Sequence, residues 1–311
     1  MTQTNLTVDL ASNPTTSPLS LGWSEAQTCV QQLATKPAFI ERLTSAGLPN
    51  EDKTSLDYAK ALSARAGDYC ASREQDGSIN RSLTDQIKLL ANVSFYLHNQ
   101  KEISYYEQER DNRRLTDEQW QYYQDFKPYM IWYNQLLSDY AYTNPRATLS
   151  DLNNALIAQA LPSFPGEIEA VERNVKRATR GARTEAASRE LLDRTHLDYS
   201  PGTIEDDLRG GDLIVTYNGH RVKVDIKSSL SDVAAVRGGY QSINEHQLSY
   251  AILKTRRDGN DKAKHVVVLF PGFTDGDFGD WLSLQLPEQA IQKHADKLAA
   301  QLELAFRELQ L

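Results

Sequence analysis

Residues 212–227 have the sequence DLIVTYNGHRVKVDIK, in which two runs of alternating apolar and polar residues flank Asn218-Gly219. Asn-Gly between such runs is the strongest short-range signal for a two-residue type I′ turn, because both turn residues need positive φ. We therefore expect a β-hairpin in which Tyr217 lies opposite His220. In that register the alternation gives one apolar face, which can pack on a core, and one polar face.

Two carboxylates and a lysine share the polar face of this hairpin. Counting back from the turn sets Asp212 opposite Asp225, and Lys227 projects to the same face as Asp225 because side chains alternate along a strand. Opposed residues of an antiparallel pair lie about 4.5–5.5 Å apart, and like charges at that distance are destabilising. A divalent cation between the two aspartates would convert the repulsion into binding. The pattern therefore predicts a metal site on the polar face.

A long helix is expected upstream of the hairpin, from about Glu167 to Thr195. Apolar residues at helical spacing form one stripe along it, and the stripe consists of Ile168, Val171, Val175, Ala178, Ala182 and Ala186. Glu185 lies about 60° from the centre of that stripe. We therefore expect the Glu185 carboxylate to lean toward whatever the stripe packs against.

These elements, in this order, resemble the PD-(D/E)XK nuclease superfamily, whose core is α-β-β-β-α-β. The Gly-x-x-x-Glu motif that ends at Glu185 is similar to that of archaeal Holliday-junction resolvases and Mrr-type restriction enzymes. Gly-Gly-Asp, ending at Asp212, and Asp-Ile-Lys, at residues 225–227, follow in the family order over roughly residues 165–285. The sequence has Gly-Gly where Pro commonly precedes the first aspartate, and Asp where Glu is commoner in the second motif. The resemblance implies an α/β fold with a restriction-endonuclease-like αβββαβ core.

The resemblance also implies roles for the residues of the site. Asp212 and Asp225 would ligate Mg²⁺, for which Mn²⁺ could substitute, together with the backbone carbonyl of Ile226. Lys227 would orient or activate the attacking water, and Glu185 would complete the metal site directly or through water. Mg²⁺ prefers oxygen ligands and usually keeps several waters, and a bound metal lowers the pKa of its water.

A second helix is expected over Tyr240–Leu253, ahead of a last strand at residues 265–270. Several relatives place a glutamine near the start of this helix, where it faces the site. Gln247 is the nearest match and is the candidate catalytic residue, with Gln241 as an alternative. The competing interpretation of each glutamine is a polar helix surface.

Binding of a nucleic acid requires cations that reach its phosphates. The candidates beside the hairpin are Arg209, Arg221 and Lys223. Arg237 is a fourth candidate, because it precedes two glycines whose backbone N–H groups can approach phosphate closely. The net charge of −8 runs against tight nonspecific binding, although a basic groove can coexist with an acidic exterior.

The 311 residues divide into three predicted parts: a flexible tail at 1–22, an almost wholly helical domain at 23–148, and a nuclease domain with a closing helix at 149–311. The stretch from Tyr105 to Tyr142 contains eight of the tyrosines. With nearby arginines these rings could stack on bases, but such a stripe is more often core between helices. The closing amphipathic helix could cover the sheet or join a homodimer.

Composition excludes several classes of protein. No run of about eighteen apolar residues is present, so we expect no membrane association. Cys29 and Cys70 lack the spacing of a zinc or iron–sulfur site, and two cysteines make no disulfide framework, so we expect a cytoplasmic protein. No ATP-binding P-loop motif occurs.

The expected function is a Mg²⁺-dependent nuclease that hydrolyses DNA phosphodiester bonds, of the restriction or phage-defence endonuclease type. Two alternatives stay open within the sequence. One is a structure-selective or RNA-directed nuclease, or a nuclease toxin. The other is a nuclease fold that binds nucleic acid as a scaffold without cleaving it.

Overall fold

The computed structural model describes residues 18–36, 56–111, 115–208, 211–228, 240–243, 248–255, 264–279 and 283–311. These residues form a mixed α/β protein in which helices make up the first half and a sheet with a covering helix makes up most of the second half. The α/β class predicted from the sequence is therefore confirmed.

Five helices in the described residues build the first half. They are α1 (Pro18–Thr35), α2 (Leu56–Gln75), α3 (Arg81–Asp111), α4 (Asp117–Thr143) and α5 (Leu149–Ala160), and a 3₁₀ turn at Leu161–Ser163 follows. The first turn of α4 is closed by a capping box, in which Thr116 and Gln119 each bond the other's backbone N–H. Helix α1 includes residues 18–22, which the composition assigns to the tail.

Tyrosines of the aromatic stretch lie mainly in the core between these helices. Tyr133 of α4 is 1% exposed, and its ring centroid lies 4.5 Å from that of Tyr96 of α3. Tyr123 and Tyr140 are also buried in this core. The core interpretation of the stretch is therefore confirmed for its buried members.

Helix α6 (Ile168–Leu192) belongs to two hydrophobic cores. Val171, Val175, Ala182 and Ala186 pack with the helices of the first half, whereas Ala187, Leu191 and Leu192 pack with the sheet. The predicted stripe is thus buried against helices, except that Ile168 at its start is 55% exposed. The turn around Glu185 consequently lies where the two cores meet.

The six strands of the sheet have the order β1-β2-β3-β6-β5-β4. Strand β3 pairs with β6 in parallel, and all other neighbours are antiparallel. The strands are β1 (Asp198–Pro201), β2 (Leu213–Tyr217), β3 (His220–Ile226), β4 (Tyr240–Ile243), β5 (Leu248–Thr255) and β6 (Lys264–Phe270).

The predicted hairpin and its register are confirmed by β2 and β3. Asn218 and Gly219 have φ values of 47° and 79°, as a type I′ turn requires, and Tyr217 pairs with His220. The apolar face is buried in the core of the second half, where its members are Leu213, Val215, Val222 and Val224.

The helix predicted over Tyr240–Leu253 is wrong, because residues 240–243 and 248–255 form β4 and β5. Leu248 and Ile252 have helical spacing, but Leu248, Tyr250 and Ile252 also alternate as in a strand. Strand β5 pairs with β4 on one side and β6 on the other. Tertiary pairing of this kind overrides a local periodicity that is compatible with both structures.

Helix α8 (Glu288–Glu308) covers the apolar side of the sheet. Its Leu298, Leu302, Ala305 and Phe306 are buried with the core residues of β2 and β3. Covering the sheet is therefore the observed use of the closing helix, and a homodimer stays a prediction. No helix in the described part of the chain has both the length and the apolar character needed to cross a bilayer.

Candidate active site

Asp212 accepts hydrogen bonds from the backbone of β3 and from that of the residue after β1. Its side-chain Oδ2 accepts a hydrogen bond from the N–H of Ile226 at 2.6 Å, and its carbonyl accepts one from the N–H of Gly202 at 2.8 Å. Leu213 pairs with Val224, and continuing that register by one residue sets Asp212 opposite Asp225. The expected acidic pair is therefore in register.

Gly202 makes this arrangement possible by having no side chain. A Cβ atom at Gly202 would overlap the carbonyl oxygen of Gly211 and would lie 3.0 Å from that of Asp212. The chain after β1 therefore approaches the start of β2 at a distance that only glycine allows. The backbone of Asp212 is held from this side.

Lys227 and Asp225 form an ion pair on the polar side of β3. Lys227 Nζ lies 2.6 Å from Asp225 Oδ1, and the two side chains are 31% and 14% exposed. Burial alone would lower the pKa of Lys227, but Asp225, Asp212 and Asp207 raise it above its ordinary value. The ammonium group is therefore held in its charged form.

Glu185 comes from α6 and belongs to the same electrostatic group. Burial raises the pKa of Glu185 to about 7, while Arg189 acts in the opposite direction. Burial also raises the pKa of Asp212 well above its ordinary value, and the charges of Asp225 and Glu185 raise it further. Asp212 is thus close enough to Asp225 and to Glu185 for their charges to oppose its ionisation.

Asp207 is a site residue that the sequence reasoning missed. It ends the short helix α7 (Ile204–Asp207), and burial raises its pKa to about 6. Lys127 of α4 lowers the pKa of Asp207, and Asp225 raises it. The acidic run Glu205-Asp206-Asp207, five residues before Asp212, was the available signal.

Only some of the cationic residues predicted to bind phosphate can be placed relative to the site. Lys223 Nζ lies 2.9 Å from Asp206 Oδ1, and its side chain is 14% exposed, so its charge is balanced within the protein. Arg221 is exposed near the hairpin turn. Arg209, Arg237 and Gln247 lie outside the described residues.

Oxygen donors dominate the candidate site. Within the part of the chain that the structure describes, no three histidine, cysteine, aspartate or glutamate side chains already stand as a cluster of metal ligands. The donor chemistry nevertheless fits a hard cation, because Asp212, Asp225 and Glu185 offer carboxylate oxygens whose mutual repulsion a cation would relieve. Ile226 lies between Asp225 and Lys227, where its N–H anchors Asp212.

Comparisons with known proteins found no match from which a function could be assigned. No protein-family model matches the sequence, and no significant similarity to a curated protein or to a solved structure was found. The function is therefore inferred from the geometry and chemistry of the site.

Proposed function

We propose that this chain is a Mg²⁺-dependent nuclease that hydrolyses DNA phosphodiester bonds, with Mn²⁺ able to substitute. One observation carries the proposal: the hairpin register, continued by one residue beyond the Leu213–Val224 pair, sets Asp212 opposite Asp225, and Lys227 pairs with Asp225 at 2.6 Å. Two partly buried carboxylates held side by side are costly for a fold, so a functional role accounts for them better than a structural one.

The order of elements gives the proposal further support. Helix α6, strands β1 to β3 and strand β6 follow one another, and β6 lies parallel to β3 beside it. A restriction-endonuclease-like core has the same sequence of one helix, three strands and a later parallel strand. Strands β4 and β5 stand where that core has a helix, so this chain would be a variant of it.

Each residue of the site has a role in the proposed reaction. Asp212 and Asp225 would hold Mg²⁺, and Glu185 would contribute directly or through water. When bound, the metal supplies Lewis acidity, which lowers the pKa of a bound water and stabilises charge on the phosphoryl oxygens. A water oxygen would form a bond to phosphorus while one phosphorus–oxygen ester bond breaks, the water would give up a proton to solvent, and the leaving oxygen would take one up from solvent.

Lys227 would act on this water as a hydrogen-bond donor and a positive charge. Its Nζ lies 2.6 Å from Asp225 Oδ1, and an ammonium group has further N–H donors that can bond the attacking water. A charged group of this kind orients the nucleophile and stabilises the developing negative charge. Lys227 is therefore assigned a role in orienting and stabilising.

The biological type that we propose is a restriction or phage-defence endonuclease. The intact set of Asp212, Asp225 and Lys227 favours cleavage over a scaffold role, because a chain that only binds does not need this set. DNA is the proposed partner.

A cleavage assay tests the proposal. The purified chain is incubated with supercoiled plasmid, linear duplex, single-stranded DNA and RNA, each with Mg²⁺, Mn²⁺ or EDTA. We expect metal-dependent cleavage of DNA that is lost in Asp225→Asn and retained in Asp198→Asn, which removes an exposed carboxylate from the same sheet. Absence of cleavage of every substrate with both metals would overturn the proposal.

A further inference from the structure

Helix α4 turns one polar face toward the candidate active site. Gln135, Asp139 and Tyr142 have the spacing of four and three residues that places side chains on one side of a helix. Gln135 contacts the loop after β1, Asp139 contacts α6, and Tyr142 donates a hydrogen bond to Asp193 at 2.6 Å. The helical half of the molecule therefore reaches the elements that carry the carboxylates.

Gln135 acts on the backbone that holds Asp212. Its Nε2 donates a hydrogen bond to the carbonyl of Gly202 at 3.2 Å, and the N–H of Gly202 donates to the carbonyl of Asp212 at 2.8 Å. Both polar groups of Gly202 are thus engaged, one by the helical half and one by Asp212. A shift of Gln135 would be transmitted to Asp212 through a single residue, Gly202, which packs so closely that an added Cβ atom would overlap the carbonyl oxygen of Gly211.

Asp139 acts on the surroundings of Glu185. Its Oδ1 accepts a hydrogen bond from Arg189 Nη1 at 2.6 Å, and the Arg189 side chain is only 9% exposed. The guanidinium of Arg189 also lies over the ring of Tyr142, 4.1 Å from its centroid. Arg189 follows Glu185 by one helical turn, so the two side chains share a face of α6. Asp139 therefore fixes a buried positive charge one helical turn along α6 from Glu185.

We infer that Gln135 and Asp139 are positioning residues of the metal site, Gln135 for Asp212 and Asp139 for Glu185. The inference rests on the proposed function and extends it, because residues of both the helical half and the sheet half would then position the metal ligands. Side chains that orient metal ligands from the outside typically contribute 10- to 100-fold to metal affinity or activity. The chain offers matched controls on the same helix, since Gln121 and Asp125 bond each other at 2.9 Å on its exposed side.

The experiment compares Gln135→Met and Asp139→Asn with Gln121→Met and Asp125→Asn in the full chain. Mn²⁺ titration measures Kd, DNA cleavage gives kcat and KM, and a melting scan without metal reports on folding. We expect Gln135→Met to weaken Mn²⁺ binding or lower kcat by about tenfold or more, with little change in KM or in the metal-free melting temperature. Both control variants should match the wild type.

The outcomes separate the two proposals. Wild-type Mn²⁺ affinity and kcat in a folded Gln135→Met would overturn the positioning role while leaving the nuclease proposal intact. A wild type that neither binds Mn²⁺ nor cleaves would overturn the nuclease proposal itself. If Asp139→Asn melts early, Asp139→Glu is the second variant, and a positioning role requires it to restore the fold together with part of the metal affinity.

Discussion

The side chain of Asp212 accepts a hydrogen bond from the backbone N–H of Ile226 at 2.6 Å. This contact ties the first acidic residue of the site to the backbone between Asp225 and Lys227. Asp212 is therefore held in place by the fold itself, next to Asp225 and Glu185, whose charges oppose the ionisation of its carboxyl group. The metal-free protein carries this electrostatic cost.

Asp212→Asn should raise the melting temperature of the metal-free protein and remove its response to Mg²⁺. The amide oxygen of Asn can still accept from Ile226, while the charge that opposes Asp225 and Glu185 is lost. Melting scans in EDTA and in Mg²⁺ measure both effects. A lower melting temperature in EDTA would contradict the repulsion argument.

Mg²⁺ or Mn²⁺ should raise the melting temperature of the wild type, and Asp225→Asn should abolish most of that increase. A ligand that binds only the native state stabilises it by RT ln(1 + [L]/Kd), about 2.7 kcal/mol at a hundredfold excess over Kd. Asp198→Asn serves as the control, because it removes an exposed charge from β1. An unchanged wild-type melting temperature across the metal titration would count against the site.

Lys227→Ala should leave DNA binding nearly intact and reduce cleavage by about 100-fold or more, because its ammonium acts on the nucleophile. Binding is measured by fluorescence anisotropy in Ca²⁺ and cleavage in Mg²⁺. Lys176→Ala is the matched control, since Lys176 forms an exposed ion pair with Glu172 at 2.8 Å on the surface of α6. Cleavage at the wild-type rate in Lys227→Ala would place catalysis elsewhere.

Glu190 should make stability fall as the pH rises. Burial raises its pKa to about 7 in the folded chain, whereas an unfolded glutamate titrates near about 4.3. The contribution of protonated Glu190 to the free energy of unfolding is therefore fully present below about pH 4.3 and is lost as the pH rises through about 7. Glu190→Gln keeps an acceptor for the N–H of Leu286 and should gain about 1 kcal/mol over wild type at pH 8.

Denaturant unfolding at pH 5 and pH 8 measures this effect in wild type and in Glu190→Gln. The advantage of the variant should be larger at pH 8 than at pH 5. An equal difference at the two pH values would show that Glu190 does not titrate between them.

A fragment of residues 149–311 should fail to fold cooperatively. Leu152 and Leu156 of α5 and Val171 and Val175 of α6 are buried against the helices of the first half, so the cut would expose them. Circular dichroism melting and limited proteolysis of the fragment, beside the full chain, provide the measurement. A sharp melting transition in the fragment would show that the sheet half is independent of the helical half.

Local chemistry made the hairpin predictable. The Asn218-Gly219 turn fixes the register, and the register fixes which side chains share a face, so Asp212, Asp225 and Lys227 follow from nearby residues. The strands β4 and β5 could not be predicted in the same way, because β5 depends on pairing with β6, and its own pattern fits a helix as well as a strand.

Contacts between residues that are far apart in the chain could not be predicted from the sequence either. Gln135 meets Gly202 across 67 positions, and Asp139 meets Arg189 across 50. The spacing of polar residues along α4 does not show whether its polar face packs against the candidate site or is exposed to solvent. Asp207 differs, because its acidic run near Asp212 is visible in the sequence.

The position of Asp212 depends on Gly202, a residue that contributes neither a charge nor a side-chain hydrogen bond to the site. The loop after β1 and the start of β2 come together where any side chain would collide with the backbone that carries Asp212. Even one added methyl group there would move a carboxylate that it never touches. The position of the Asp212 carboxylate is thus set in part by the absence of a side chain at Gly202.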